Sequence, residues 1–149
     1  MLQDDLKTQM RAYMEYLRSD VVLEATLGSD DRSAEVRGLL EDIASLSDKV
    51  TFSDAGTASR RPSFVIRRAG SVEEVTFAGL PMGHEFTSLV LGLLQVSGHP
   101  PKIEADLVEQ IKALDGDFHF ETYFSQSCQN CPDVVQALNA MSVLNPKIH

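Results

Sequence analysis

Tryptophan is absent from this chain of 149 residues, and cysteine occurs only twice. Two cysteines cannot build the disulfide framework of a small secreted domain, nor fill the four positions of a structural zinc site. His84, His99, His119 and His149 are scattered, and none forms the closely spaced pair that a zinc finger uses. Cations are also scarce: 13 Lys and Arg stand against 22 Asp and Glu, leaving a net charge of −9. That balance excludes nucleic acid as a partner, because phosphate binding needs clustered Lys and Arg. The nearest approach to a cluster, Arg60-Arg61 with Arg67-Arg68, brackets a strand and reads as solvated loop ends. No apolar run reaches the roughly 20 residues needed to cross a bilayer. The start, Met1-Leu2-Gln3-Asp4-Asp5, is acidic and polar, unlike a secretion leader. A cytoplasmic chain without a membrane partner is expected. There is no Gly-rich phosphate loop and no Ser, His and Asp arrangement of a nucleophile motif, so kinase and hydrolase readings find no support.

What is present is Ser127-Cys128-Gln129-Asn130-Cys131-Pro132, which places both cysteines in one Cys-x-x-Cys motif. An apolar, aromatic run at 118–124 precedes it and reads as a buried strand. Val134, Val135, Leu138, Met141, Val143 and Leu144 follow at helical spacing. Thiol–disulfide oxidoreductases carry their dithiol at such a strand-to-helix junction. There the unpaired N–H groups and the partial positive charge of the helix end favour a thiolate. Inert core thiols are the plainer alternative, yet the neighbours Ser127, Gln129 and Asn130 are polar. A static structural disulfide would close a loop of about four residues and stabilise little. A redox-active pair is the reading the residues favour.

The chain before the motif divides into recognisable elements. Leu6, Met10, Tyr13, Met14 and Leu17 mark a first helix, and residues 21–27 a short buried strand. Val36, Leu39, Leu40, Ile43 and Leu46 mark a second helix, and residues 49–52 a second strand. A polar loop leads to Pro62, followed by strands at 63–67 and 72–77 joined by a turn at Ala69-Gly70, then a helix at 84–96. This order is that of a thioredoxin fold, in which a proline, usually cis, precedes the third strand. The position of a redox motif after the first strand holds Leu27-Gly28-Ser29-Asp30 and no cysteine. Gly98-His99-Pro100-Pro101 then breaks the chain, and helix, strand, dithiol and helix repeat the opening order. The fold class is therefore α/β and thioredoxin-like. A complete cysteine-free unit at 1–97 is followed at 98–149 by about half of a second unit carrying the dithiol, stopping where its second strand should start. Half a unit is expected to be marginally ordered unless the first unit covers it.

Several stretches resemble the N-terminal domain of the bacterial alkyl hydroperoxide reductase flavoprotein. They include Leu46-Ser47-Asp48-Lys49-Val50-Thr51-Phe52, Arg61-Pro62-Ser63-Phe64, Gly83-His84-Glu85-Phe86-Thr87-Ser88-Leu89 and Cys128-Gln129-Asn130-Cys131-Pro132-Asp133. Gln129 departs from the family, where a histidine between the cysteines is familiar. The resemblance implies two consecutive thioredoxin folds joined to a reductase part that carries FAD and accepts electrons from NADH. Neither cofactor is expected on this chain. Electrons would pass through the Cys-x-x-Cys pair to the peroxiredoxin component of the alkyl hydroperoxide reductase system, which reduces hydroperoxides. Cys128 would then attack, Cys131 resolve, and Glu85 lie near the pair and influence its protonation. The plainer reading of Glu85 is a solvated acid in the first turn of helix 84–96. A non-catalytic thioredoxin-like docking module is the alternative function.

Overall fold

The computed structural model describes residues 2–149, so Met1, with which the expected first unit begins, lies outside the described residues. The first helix, α1 (Asp4–Met14), opens with Asp4 and Asp5 where the helix dipole favours acids, and buries Met10 and Met14. Strand β1 (Val21–Thr26) follows, then α2 (Asp31–Ser45), β2 (Val50–Ser53), β3 (Ser63–Arg68) and β4 (Glu74–Phe77). The four strands form one sheet in the order β2-β1-β3-β4. β1 runs parallel to β2 through the α2 crossover and antiparallel to β3, which is antiparallel to β4. A 3-10 turn (Gly83–Glu85) leads into α3 (Phe86–Ser97). The topology is that of a thioredoxin-like unit, and the Arg61-Pro62 peptide ahead of β3 is cis, as its position predicts.

Strand register explains the core. Leu23, Ile66 and Val75 are Cα partners across β1, β3 and β4, and all three are buried under the helices. Phe64 and Phe77, partners in the next row but one, stack with ring centroids 5.5 Å apart. Phe64 is 1% exposed, so Phe64→Ala is expected to cost about 3–5 kcal/mol, the usual penalty for emptying an aromatic core site. A urea titration of parent and variant measures it. On the opposite face Arg67 lies 3.4 Å from Glu24 and 3.1 Å from Glu74. Arg68 donates to the Val96 carbonyl at 2.7 Å. The arginines read as solvated loop ends are therefore tied to the chain's own acids and backbone.

Beyond α3 come α4 (Ala105–Ala113) and α5 (Cys131–Leu144). Between them the structure corrects one expectation: 118–124 is not a buried strand. Its only bridge joins Phe118 to Ile148, in parallel. Three hydrogen bonds of 2.8 Å tie residues 118–120 to 147–149. Phe120 is 45% and Tyr123 81% exposed, because this segment has one short neighbour and little over its faces. Glu121 is held by Arg60 at 2.9 Å, and that guanidinium keeps its carboxyl below the usual range. Strand β4 starts at Glu74, two residues later than expected, leaving Val72 exposed.

The tail is nevertheless anchored to the first unit. Val135 on α5 joins the first unit's core. Gln136 donates to the Ser88 hydroxyl on α3 at 3.2 Å, and the Ser142 hydroxyl donates to the Glu74 carbonyl of β4 at 3.1 Å. Asn145, 3% exposed, donates its side-chain amide to the carbonyls of Ile111 and Leu114 at 2.9 and 3.1 Å. Those bonds satisfy orphan carbonyls at the end of α4 and join it to the end of α5.

Candidate active site

Cys128 and Cys131 are joined in a disulfide with Cα atoms 5.5 Å apart. Helix α5 begins at Cys131, so Cys128 precedes the helix and does not occupy its first turn. This adjusts the expected placement by one turn and sharpens the electrostatics. The backbone N–H of Cys131, one of the donors an α-helix leaves unpaired, points at Cys128 Sγ at 3.2 Å. In the reduced state that donor and the helix end stabilise negative charge on Cys128. Pro132 sits in the opening turn, where a missing N–H costs nothing. Cys128 itself ends a turn, its N–H donating to the Ser125 carbonyl at 3.0 Å.

Glu85 is not a solvated acid. It is 0% exposed, and neither carboxylate oxygen has a hydrogen-bond partner. Its turn sits against the dithiol loop: the N–H of His84 donates to the Gln126 carbonyl at 2.9 Å, two residues before Cys128. Glu85 and the dithiol are thus brought together through backbone contact between the two halves. Gly83 and Gln126, which make that contact, were not among the sequence candidates. The one available signal was a glycine directly ahead of a helix start.

A cavity of about 1080 Å³ opens between β4 and the segment 118–124, lined by Pro62, Phe77, Phe120, Tyr123 and Leu138 among others. Neither cysteine nor Glu85 lines it. A disulfide substrate must therefore meet Cys128 at the surface, which suits a macromolecular target. Among the described residues no three His, Cys, Asp or Glu side chains converge to hold a metal. Among them, too, no helix is long and apolar enough to cross a membrane.

No protein-family model matches the chain. Curated relatives do. The alkyl hydroperoxide reductase F subunit of Pseudomonas aeruginosa is 57% identical over 148 residues, covering 99% of this chain and 28% of that protein. The Escherichia coli protein of the same name is 58% identical over 149 residues, 29% of its length. A Bacillus subtilis protein named NADH dehydrogenase is 50% identical over 147 residues. The chain thus spans less than a third of the curated relatives it matches. The crystal structure of the NTD_N/C domain of alkylhydroperoxide reductase AhpF from Enterococcus faecalis superposes with a TM-score of 0.81 at 28% identity, covering 99% of this chain and 77% of that one. A protein disulfide oxidoreductase from Aeropyrum pernix shares the fold with a TM-score of 0.80 at 18% identity. With a thioredoxin-like sheet, a dithiol at a helix start and these relatives, the chain belongs to the AhpF family of alkyl hydroperoxide reductase flavoproteins and corresponds to its N-terminal, thioredoxin-like part.

Proposed function

We propose that this chain is a dithiol–disulfide relay, taking electrons from an NADH- and FAD-dependent reductase part and passing them to the disulfide of a peroxiredoxin, the hydroperoxide-reducing component of the same system. The observation that carries the reading is the Cys131 N–H directed at Cys128 Sγ, ahead of α5. Cys128 as thiolate attacks one sulfur of the target disulfide, and the other target sulfur leaves and takes a proton. Cys131 loses its proton and attacks Cys128 Sγ, releasing the second target thiolate and regenerating the Cys128–Cys131 disulfide. Two electrons and two protons have then moved to the target. Glu85, buried behind the loop that carries Cys128, is assigned the handling of one of those protons. In this reading 1–97 is a cysteine-free supporting unit and 98–149 carries the chemistry. The reducing cytoplasm is where such a pair works as a catalyst.

Reduced protein is expected to reduce oxidised peroxiredoxin much faster than it consumes hydrogen peroxide. Peroxide reduction needs donors that polarise the O–O bond, and Gln129-Asn130 supplies no cation. Stopped-flow measurement of both reactions decides this. Comparable rates refute the protein-target reading. Binding without electron transfer favours a docking module instead.

A further inference from the structure

The dithiol loop is held by the cysteine-free unit at one point, and that point admits only glycine. Gly83 has φ +61, the left-handed region, and a Cβ built on it would lie 2.6 Å from the Gln126 carbonyl oxygen and 3.0 Å from Gln126 Cβ. The carbonyl oxygen is backbone, so any side chain at 83 must push the peptide of Gln126 away. The same carbonyl accepts the N–H of His84 at 2.9 Å, and the Gln126 side chain donates back to the Leu80 carbonyl at 3.3 Å. Gln126 lies inside the turn closed by Cys128 N–H on the Ser125 carbonyl, so a displacement of Gln126 is a displacement of Cys128. On the other side Gly83 opens the 3-10 turn that ends in Glu85. One contact therefore sets where Cys128 stands relative to both Cys131 and Glu85.

We propose that Gly83 and Gln126 form a latch by which the cysteine-free unit positions Cys128 and so tunes the Cys128–Cys131 couple. This rests on the exchange reading above. Neither residue touches a target; both act through the turn that carries Cys128. An intramolecular disulfide gains from having its sulfurs held in mutual reach, and that advantage falls when one partner is loosened. The latch therefore favours the disulfide, and breaking it makes the pair more oxidising.

The test is equilibration with glutathione redox buffers, read by thiol quantification, on parent, Gly83→Ala, Gln126→Ala and Gly70→Ala. Gly70 also has positive φ, +74, but a Cβ there meets nothing within 4 Å. It reproduces the backbone strain without the collision. Gly83→Ala is expected to lower the equilibrium constant for disulfide formation about tenfold, or roughly 30 mV toward a less negative potential. Gln126→Ala removes one exposed hydrogen bond and is expected to lower it about threefold in the same direction. It cannot unfold the protein, so it decides the matter if Gly83→Ala fails to fold. Gly70→Ala should lose stability and leave the equilibrium where it was. Equal constants for parent and both latch variants overturn the proposal, as does a shift in Gly70→Ala matching that in Gly83→Ala. A parent pair that never equilibrates with glutathione overturns the exchange reading itself, which the parent measurement alone reveals.

Discussion

Cys128→Ser is expected to abolish electron transfer to a disulfide target, whereas Cys131→Ser is expected to stop it halfway, with target and protein joined in a mixed disulfide. The difference follows from the placement of the two sulfurs around one helix start. Cys128 precedes α5 and receives the Cys131 N–H, so it gains the stabilised negative charge that makes a thiolate at neutral pH. Cys131 is the first helical residue, within the span that lets it reach Cys128 after the target is attached. Serine at 128 leaves no nucleophile that can open the target disulfide. At 131 it leaves the nucleophile intact but removes the thiol that completes the exchange. Rates of target reduction and non-reducing electrophoresis separate the outcomes. In the reduced parent, Cys128 is expected to alkylate before Cys131. Equal labelling, or a trapped complex formed by Cys128→Ser, would reverse the assigned roles.

The elements most readable from the chain are those whose residues answer to their own neighbours. Val21, Leu23 and Ala25 alternate because β1 buries one face more deeply than the other, and Val36, Leu39, Leu40 and Ile43 recur as one helical stripe. Pro62 was legible for the same reason: its position ahead of β3 is a local feature. Segment 118–124 shows where local reading ends. Its aromatic run has strand character, but a buried strand needs partners, and here residues 118–120 find only 147–149. Glu85 fails in the opposite direction. A charged residue beside a helix start reads as solvated, and only the packing of its turn against a loop some forty positions away buries it. The Arg60–Glu121 pair and the Asn145 bonds at the end of α4 depend on the same distant approach of chain segments. The dithiol could be found from its motif, while the groups that surround it belong to the other half of the chain.

Glu85→Leu is expected to make the protein more stable and a poorer electron donor. The carboxyl is 0% exposed with both oxygens unpartnered. Leaving a buried polar group without a hydrogen bond costs about 1–3 kcal/mol, and leucine removes that cost at comparable size. For a chain of this length each kcal/mol gained raises Tm by about 2–4 °C. A core position that opposes stability in this way marks a site kept for chemistry. Loss of a positioned proton-transfer group typically slows the step it serves about 10²-fold or more, so reduction of the peroxiredoxin should fall to that extent. Glu85→Gln separates charge from shape. In its ionised form the carboxylate disfavours a thiolate nearby, so removing it should shift the alkylation profile of Cys128 to lower pH. Alkylation reports the thiolate alone, whereas exchange also needs a proton delivered to the leaving sulfur. The glutamine variant should therefore label Cys128 at lower pH and still exchange slowly. A leucine variant that is less stable than the parent, or one that exchanges as fast, would show that Glu85 has no part in proton handling.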